Sequence, residues 1–480
     1  MTQFDSRNLS MMMDLYEMTM ANGYYMAGKA DSLATFDVFY RRNPDGGGFA
    51  VFAGLEQVLD YLEGLHFSAE DVAYLRSLGQ FDGAFLDTLI DYRFRGSVSA
   101  VPEGTVVYPN EPLITVTAPL MDAQLVETAI LAQINHQSLI ATKARRIVRA
   151  AEGRSVSDFG ARRAHNIDAA VYGARAAYIG GVDSTATVLA GQLFGIPVSG
   201  TMAHSWVMSH ESEFEAFRRF AEIYPDNAIL LVDTYDTLKS GVPSAIRTAR
   251  EVLAPMGRRL KGIRLDSGDL AYLSKEARRM LDDAGLADCR IAVSNSLDEY
   301  TIRSLLEQGA CVDFFGVGER LATAKSDPVF GCVYKLVALN EGTACRPRIK
   351  ISETWEKITN PGRKRLWRVY DTSGHSIADL LTREDETPDA AAGFGYVDSE
   401  KPWKRGAFAG CTVKELQEEV MRGGRRTRPS PPLKAVRDHV RRQLEEDVWP
   451  EEQRFENPHR HYLDLSPAFY DLKRSLLERG

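Results

Sequence analysis

The sequence predicts an α/β fold built from a repeated strand–helix unit. Seven times between residues 155 and 320, a short apolar or β-branched run ends abruptly in polar, charged or glycine residues, and helix-like stretches separate most of these runs. This rhythm indicates successive parallel strands joined by helices. If the strands close into a barrel, their polar ends meet at one face, where parallel α/β barrels place their active sites. The seven runs are SVSDFGARR (155–163), AYIGGVDST (177–185), IPVSGTMAHS (196–205), AILLVDTYD (228–236), KGIRLDSGD (261–269), RIAVSNS (290–296) and DFFGVGER (313–320).

The composition narrows the class of protein. The chain has 480 residues, of which 44% are hydrophobic, and this length allows two or three domains with a large buried core. A net charge of −8 argues against a general nucleic-acid binder. The 5 cysteines are odd in number and contain no CxxC pair, which predicts a reducing cytoplasm rather than a disulfide framework. We expect no secretory signal, and no apolar run approaches the roughly 18 residues of a membrane helix.

The residues before the repeat predict helices and a small β-layer. In HFSAEDVAYLRSLG, Ser68 can cap the start of a helix, Asp71 follows three residues later, and Gly79 suits the helix end. The other predicted elements in this part are a helix around DLYEMTMANGYY, a strand at 34–40, a helix at FAGLEQVLDYLEGL, a β-layer at 94–118 and a long amphipathic helix within 125–153.

The strand–helix rhythm stops after residue 320. FGCVYKLVAL and RPRIKIS read as strands, and LWRVYDTSGHSIADLL reads as a hairpin that turns near Asp371–Gly374. The basic, Pro/Gly-rich stretch 421–433 predicts a linker between two helical segments.

The motif KGIRLDSGDL is the most informative single site signal. Arg264 lies just inside the strand end, and Asp266 and Asp269 flank Ser267–Gly268. A helix beginning near Leu270 would present backbone N–H groups to an anion, while the carboxylates suit hydrated Mg²⁺ or ribose hydroxyls. The alternative is an ordinary helix N-cap, because Asp and Ser favour such positions.

Two further strand ends suggest phosphate chemistry. Gly316 and Gly318 form a Gly-x-Gly turn after the last strand, where glycines let a backbone approach phosphate closely, although most such turns are simply tight turns. His204 lies just after a strand and could act as acid, base or phosphate acceptor, whereas most single histidines are structural.

The remaining strand ends add an aromatic ring and more charge. Phe159 could stack on a ring, and the Arg162–Arg163 pair could hold a carboxylate or phosphate; the plain alternative is a core Phe with two solvated arginines. Asp183 and the run 233–236 offer further carboxylates without an evident role. Together these groups suit a phosphorylated sugar, Mg²⁺ and a small aromatic acid. No GxSxG or GxxxxGK[ST] motif is present, which argues against a serine-hydrolase triad and a P-loop.

On these residues the chain resembles the nicotinate phosphoribosyltransferase family, of the type II phosphoribosyltransferase group. The similarity spans most of the chain and is therefore more specific than any one motif. The resembling stretches are DLYEMTMANGYY, FYRRNP, FGARRAH, GGVDSTATVLAGQLFGIPVSGTMAHSWV, IRLDSGDL, FFGVGERLAT, VYKLV, KITNPGRKRLWR and NPHRHYLDLS.

The resemblance implies a fold, a reaction and partners. The fold would be an irregular seven-stranded α/β barrel with an N-terminal α/β domain and C-terminal segments packing around both. The reaction would join nicotinate to 5-phosphoribosyl 1-diphosphate, giving nicotinate mononucleotide and diphosphate, with Mg²⁺ required and ATP hydrolysis coupled. We expect a cytoplasmic homodimer with shared active sites and no nucleic-acid or membrane partner. The expected domains are 1–130, 131–335 and 336–480, the last with a β-hairpin and helices that partly pack on the first.

The resemblance also implies residue roles. His204 would be transiently phosphorylated. Phe159 would stack on the nicotinate ring, with Tyr16 of a partner subunit on the other side. Arg264 would hold phosphate, and Asp266 would bind ribose or Mg²⁺. The other implied substrate contacts are Arg162, Asp183, Ser205, Ser267, Gly268, Ser294, Asn295, Gly316 and Gly318, and Asp269 is a further candidate Mg²⁺ ligand.

Three alternatives remain open at this stage. The related nicotinamide-specific enzyme has an acidic residue in a place similar to Asp183, although the Arg162–Arg163 pair favours the acid substrate. A non-catalytic phosphate or nucleotide sensor would bind ligand without turnover. A barrel aldolase or isomerase would need a lysine or glutamate base at a strand end, and the seven endings offer only Glu319.

Overall fold

The structure, a computed structural model, describes residues 7–342, 344–354 and 357–479. The chain divides into two compact units. The first unit contains the residues up to 139 together with those from 329 onwards, and the second contains residues 140–328. This division differs from the predicted three domains, because N-terminal and C-terminal strands share one sheet in the first unit.

The N-terminal part has the predicted helices and β-layer. Its elements are α1 (Leu15–Met26), β1 (Leu33–Phe39), β2 (Ala50–Val51), α2 (Leu55–Gly64), α3 (Ala69–Ser77), α4 (Gly83–Thr88), β3 (Ser97–Ala100), β4 (Val106–Val107), β5 (Ile114–Pro119), α5 (Leu120–Gln124) and α6 (Glu127–Ala150). The predicted cap of α3 is confirmed: Asp71 N–H donates to Ser68 Oγ at 3.1 Å, and Ser68 N–H donates to Asp71 Oδ2 at 2.8 Å. Gly79 follows the helix with a φ of 65°, in the left-handed region that favours glycine.

The second unit is the strand–helix repeat. Its elements are β6 (Ser155–Asp158), α7 (Ile167–Ile179), β7 (Ser184–Thr185), α8 (Val188–Phe194), α9 (His204–Met208), α10 (Glu213–Ile223), β8 (Ile229–Leu231), α11 (Val242–Thr248), β9 (Gly262–Leu265), α12 (Leu270–Asp283), β10 (Arg290–Ser294), α13 (Glu299–Glu307), β11 (Phe314–Val317) and α14 (Glu319–Ala322). Six strands pair in parallel in the order β7-β6-β11-β10-β9-β8. All their carboxyl ends therefore lie at one edge of the sheet.

The predicted seven-stranded barrel is not confirmed, because the described strands form an open half-barrel. The run at 196–205 contributes only an isolated parallel bridge between Thr185 and Val198 instead of a strand. Thr185 N–H donates to Pro197 O and Ser199 N–H donates to Thr185 O, both at 3.0 Å. Pro197 has no N–H of its own, so this short segment has few backbone donors with which to extend a ladder.

The C-terminal part supplies the remaining strands of the first unit. Its elements are β12 (Val333–Glu341), β13 (Ala344–Pro347), β14 (Lys364–Tyr370), β15 (Ser376–Arg383), β16 (Phe394–Asp398), β17 (Arg405–Phe408), β18 (Thr412–Glu415), β19 (Glu418–Arg422), β20 (Arg425–Arg426), α15 (Leu433–Arg442), β21 (Leu463–Leu465) and α16 (Pro467–Leu477). One sheet has the order β13-β12-β1-β5-β3-β19-β20, and a second has the order β17-β16-β21-β15-β14-β18.

In this part the predicted hairpin is confirmed and the predicted linker is not. β14 and β15 form the predicted hairpin, and Gly374 N–H donates to Asp371 O at 3.2 Å in its turn. The predicted linker at 421–433 is wrong, because its first half is the β19–β20 hairpin and the segment before it is β-strand rather than helix. Gly423 and Gly424 form the turn with φ of 55° and 73°. Adjacent glycines in this conformation are a hairpin signal that the basic composition obscured.

In the described part of the chain, no helix is both long and apolar enough to cross a membrane.

Candidate active site

The candidate site lies at the carboxyl edge of the parallel sheet in the second unit. Asp158 and Ser294 end β6 and β10, and Asp266 follows β9 directly. Asp233 lies two residues beyond β8, and Gly318 lies one residue beyond β11. Parallel pairing brings these ends together, as the sequence predicted.

Asp233 is the central hydrogen-bond acceptor of this edge. Its side chain is only 1% exposed, and its Oδ1 lies 3.3 Å from His204 Nε2. Its Oδ2 accepts the N–H of Asp266 at 2.8 Å and the hydroxyl of Ser267 at 2.7 Å. One buried carboxylate therefore positions the histidine and the start of the LDSGD loop at the same time. The sequence reading left Asp233 without a role; its place two residues beyond a strand end was the available signal.

Asp266 and Arg264 form a second polar link across the edge. The Ser294 hydroxyl donates to Asp266 Oδ1, and Arg264 Nη2 lies 3.5 Å from the same oxygen. Arg264 Nη1 donates to Thr201 Oγ1 at 2.8 Å and to Met202 O at 3.2 Å. Arg264 thus ties β9 to the segment that precedes His204.

The Arg264 guanidinium retains hydrogen-bonding capacity. Its Nε is buried and has no hydrogen-bond partner among the residues that the structure describes. A buried donor without a partner is costly unless a ligand or solvent satisfies it. Arg264 Cζ also lies 5.9 Å from the centroid of the Phe159 ring, so a cation and an aromatic ring adjoin at this edge.

Glycines shape the surroundings of Phe159. A Cβ on Gly316 would lie 2.5 Å from two carbons of the Phe159 ring, and a Cβ on Gly160 would lie 2.5 Å from the Cβ of Ala322. Phe159 N–H donates to Val317 O at 2.8 Å, which holds the backbone of the ring against β11. The sequence predicted Gly316 in a turn after the last strand, but it is the third residue of β11, where the absence of a Cβ makes room for the ring.

Asp158 and Thr185 are two buried groups that the sequence reading missed. Asp158 Oδ2 accepts the Thr185 hydroxyl at 2.8 Å, and Asp158 Oδ1 accepts the N–H of Gly160 at 2.8 Å. Burial raises the pKa of the Asp158 carboxyl above its usual value, although both hydrogen bonds oppose this shift. The pair fixes the turn that presents Phe159.

Three serine hydroxyls lie close together within the same sheet. Ser157 and Ser184 are 2.7 Å apart between their Oγ atoms, and Ser199 Oγ lies 2.8 Å from Ser184 and 3.2 Å from Ser157. These residues come from β6, β7 and the bridge segment. The hydroxyls satisfy one another, which explains how the half-barrel tolerates polar side chains there.

Strained backbone marks the turn after β10. Asn295 and Ser296 have φ of 83° and 52°, so two consecutive non-glycine residues are in the left-handed region. Such backbone is costly and clusters at binding sites. Ser294 pairs with Gly316 in the parallel ladder, and a Cβ on Gly316 would lie 3.3 Å from Ser294 Cβ, so the ends of β10 and β11 lie side by side at this edge.

His204 and Ser205 open α9. His204 is the first residue of this helix, and its side chain is 39% exposed, so it can contact both Asp233 and a ligand. Ser205 is exposed beside it. Arg162 is also exposed, in a 3₁₀ turn at Ala161–Arg163, three residues beyond Phe159.

Two predicted site residues take structural roles. Asp183 Oδ2 accepts the Ser155 hydroxyl at 2.8 Å and the N–H of Val156 at 3.1 Å, at the amino end of β6. This position is at the amino edge of the sheet, opposite the edge where His204, Asp233 and Asp266 lie, and the predicted substrate contact of Asp183 stays a prediction. Asp269 is exposed and caps α12, with its Oδ1 accepting Tyr272 N–H at 3.0 Å. The helix N-cap that the sequence offered as an alternative is therefore present at Asp269, and its role as a Mg²⁺ ligand stays a prediction.

The remaining candidate positions concern glycine, tyrosine and metal. Gly268 has a φ of 78°, and a Cβ there would lie 2.8 Å from Leu273 Cδ1, so the LDSGD loop requires glycine. Tyr16 belongs to α1 in the first unit and is 43% exposed. Among the described residues, no group of three or more His, Cys, Asp or Glu side chains is arranged to hold a metal ion. The Asp266 side chain is 24% exposed against 1% for Asp233, so Asp266 is the more accessible of these two carboxylates for a Mg²⁺ ion, which commonly uses one or two protein carboxylates together with substrate phosphates.

Comparison with known families gives three consecutive matches. The model of the nicotinate phosphoribosyltransferase N-terminal domain matches residues 11–135. The nicotinate phosphoribosyltransferase family model matches residues 154–371, and the model of the C-terminal domain of nicotinate phosphoribosyltransferase matches residues 363–473.

Individual relatives agree with these models. A nicotinate phosphoribosyltransferase of Bacillus subtilis is 42% identical over 466 residues, which cover 96% of this chain and 94% of the relative. One of Mycobacterium tuberculosis is 42% identical over 444 residues, covering 90% and 86%. The crystal structure of human nicotinic acid phosphoribosyltransferase is similar with a TM-score of 0.87 at 30% identity, covering 97% of this chain and all of the other.

Proposed function

The chain belongs to the nicotinate phosphoribosyltransferase family, and we propose that it joins nicotinate to 5-phosphoribosyl 1-diphosphate in NAD salvage. The proposal rests on the hydrogen bonds of the Asp233 carboxylate. They hold His204 and the LDSGD loop at the edge of the sheet where Arg264 and Phe159 also lie. Four kinds of group that this reaction needs are thus assembled: a phosphate acceptor, carboxylates, a guanidinium and an aromatic ring.

The proposed transfer uses these groups in defined roles. The nicotinate ring stacks on Phe159, and its nitrogen is thereby positioned for attack on C1 of the ribose. The new N–C1 bond forms as the C1–O bond to diphosphate breaks, and diphosphate leaves with the electron pair. Positive charge that develops on the ribose lies close to the Asp266 carboxylate. Arg264 supplies its unsatisfied Nε–H and its charge to a phosphate oxygen.

Mg²⁺ would be held by the Asp266 carboxylate with Asp233 beside it, and it would supply charge neutralisation for the diphosphate. Asp269 would be the second candidate ligand: it is exposed, and its Oδ1 also caps α12.

ATP coupling through His204 is part of the proposal. In the tautomer that carries a proton on Nε2, the ring donates to Asp233 Oδ1 and leaves the lone pair of Nδ1 available as nucleophile. The γ-phosphoryl group of ATP passes to that nitrogen and ADP leaves; water later hydrolyses the phosphohistidine. We expect His204→Ala to abolish ATP stimulation while slow ATP-independent transfer persists. Unchanged ATP stimulation in this variant would contradict the role.

Nicotinate is the preferred substrate in this proposal. The nicotinamide alternative depended on Asp183, and that carboxylate bonds to the start of β6. The test is a product assay by mass with 5-phosphoribosyl 1-diphosphate, Mg²⁺, ATP, and either nicotinate or nicotinamide. We expect nicotinate mononucleotide as the main product, with a higher kcat/KM for the acid. A higher value for the amide would overturn the choice, and binding without turnover would favour a sensor.

Shared active sites in a cytoplasmic homodimer complete the proposal. Tyr16 is exposed on α1, so it is accessible to the substrate site of a partner subunit. All five cysteines are unpaired, in keeping with a reducing compartment. Mixing the variants Tyr16→Ala and His204→Ala should restore up to about a quarter of the native ATP-stimulated activity, since one site of each mixed dimer carries neither change. Absence of restoration, once mixed dimers are detected by mass, would argue against sharing.

A further inference from the structure

We propose that the first unit carries a separate binding site for a nucleoside phosphate, in a cavity that the proposed reaction does not use. The cavity encloses about 460 Å³, within the range of small-molecule pockets. Its walls are the loop after β1, the loop between β4 and β5, the loop after β16 and the segment that leads into β21. All four belong to the first unit.

The cavity wall carries an excess of positive charge, although the whole chain has a net charge of −8. The permanently charged lining residues are the cations Arg41, Arg42, Lys401 and Arg460 and the carboxylates Asp398 and Glu400. Glu400 and Arg460 pair with each other, and Asp398 Oδ1 accepts the backbone N–H groups of residues 400 and 401 at 2.9 and 2.8 Å, so outside that pair three cations line the cavity against one carboxylate. Local positive charge in a negative protein favours a phosphate-bearing ligand.

Aromatic rings adjoin the basic groups. Tyr108 and His461 stack with centroids 3.8 Å apart and an interplanar angle of 8°. Tyr462 and His459 meet edge to face at 6.0 Å, and Tyr462 is 43% exposed. An exposed ring beside cationic groups can stack on a base while the cations hold its phosphates. Inorganic phosphate needs neither aromatic rings nor a cavity of this volume. The combination of aromatic rings, cations and volume therefore indicates a nucleoside phosphate.

The cavity is held in a fixed shape. Asn110 and Asn457 line it with φ of 69° and 46°, a left-handed backbone that persists only where the surroundings enforce it. A Cβ on Gly48 would lie 2.1 Å from Glu452 O, so two of the loops pack directly against each other. This rigidity lowers the entropic cost of binding a ligand.

The first test measures how many ADP molecules the full chain binds. Isothermal titration should show two classes of ADP site per chain. The double variant Lys401→Ala/Arg460→Ala should weaken ADP binding to one class at least tenfold. Its kcat for nicotinate should stay within twofold of the native value. The matched control is Lys404→Ala/Arg454→Ala: Lys404 is exposed in the same loop, and Arg454 pairs with Glu451 at 3.4 Å outside the cavity wall. A single class of site, or equal effects of both double variants, would overturn the proposal.

The second test separates a nucleotide from its phosphate part. ADP should displace inorganic diphosphate from this site with at least tenfold higher affinity, and Tyr462→Leu should remove that difference without changing diphosphate binding. Equal affinities of ADP and diphosphate for the native chain would overturn the assignment to a nucleoside phosphate. Equal losses of both ligands in Tyr462→Leu would overturn it as well.

Discussion

Single residues at the sheet edge position several neighbours at once. The Asp233 carboxylate takes one contact from a ring nitrogen, one from a hydroxyl and one from a backbone N–H, and it is almost fully buried. Burial removes competing water, so each of these contacts is stronger than it would be at the surface. A change at Asp233 should therefore act on His204 and on the LDSGD loop together.

We expect Asp233→Asn to lower kcat about 10- to 100-fold with little change in the KM for nicotinate. The amide cannot accept from all three donors, and hydrogen bonds to a charged group are worth roughly 1.5–3 kcal/mol. Steady-state kinetics would measure the effect. Asp236→Asn is the matched control, because Asp236 caps the turn at Thr237–Gly241 and is exposed. An equal loss in the control would point to a general disturbance of this loop.

Gly316→Ala tests whether nicotinate binding depends on the position of the Phe159 ring. The added methyl would lie 2.5 Å from two ring carbons, so the ring must move. We expect the KM for nicotinate to rise roughly tenfold, about 1.4 kcal/mol of lost binding. Gly64→Ala is the control, since nothing lies within 4 Å of the added carbon there. An unchanged KM for nicotinate in Gly316→Ala would argue against stacking on Phe159.

At the scale of elements, local signals set where helices and hairpins begin and end. The Ser68–Asp71 capping box starts α3, and the Gly423–Gly424 turn joins β19 to β20. Tertiary contacts then fix where these elements dock. Arg426 of β20 reaches three acidic side chains of α2, which are Glu56, Asp60 and Glu63.

Ser68→Ala should lower the stability of the first unit by about 1 kcal/mol, because the Ser68 hydroxyl accepts the N–H of Asp71 at 3.1 Å and donates to Asp71 Oδ2 at 2.8 Å. The midpoint of urea unfolding is the measurement. Ser77→Ala is the control at the other end of the helix, where the hydroxyl donates to Tyr74 O within the same helix. Equal shifts in the two variants would mean that the cap is not the cause.

At the scale of the whole molecule, buried charge makes stability depend on pH. Burial raises the pKa of Asp464 to about 7, and the neighbouring Asp398 carboxylate adds to the shift. Asp398 and Asp464 face each other across β16 and β21. The folded chain therefore holds a proton that the unfolded chain releases near the usual carboxyl pKa. This contribution to stability is present below the usual pKa and is lost as pH rises through about 7.

Asp464→Asn should consequently raise the melting temperature more at pH 8 than at pH 5, because at pH 5 only part of the contribution has been lost. The corresponding gain in the free energy of unfolding at pH 8 should be about 1–2 kcal/mol. This is less than the full pKa shift implies, because solvent screens part of the charge. Thermal melts at both pH values check this. Asp471→Asn is the control, since the Asp471 side chain is exposed and its Oδ1 lies 3.2 Å from Arg474 Nη2 in the same helix. A gain of equal size at both pH values would exclude the linkage.

Much of the second unit could be predicted because its signals are local. Strand ends at Asp158, Asp266 and Ser294 follow from short apolar runs, and the LDSGD loop follows from its glycine and capping residues. The strand predicted at 196–205 is only an isolated bridge. A run of apolar residues does not show whether a neighbouring strand has backbone N–H and C=O groups available for pairing. The sequence also places Asp183 near a strand without showing at which end, and the structure puts it at the amino end of β6.

The sequence by itself determined the parallel strand–helix rhythm, the edge at which the site lies and the family, because these depend on periodicity and on residue types at fixed spacing. Only the tertiary structure decided that Asp233 joins His204 to the LDSGD loop, that Asp183 lies at the far edge, and that N- and C-terminal strands form one sheet. These facts depend on contacts between residues tens to hundreds of positions apart. Burial and geometry, rather than local propensity, decide such contacts.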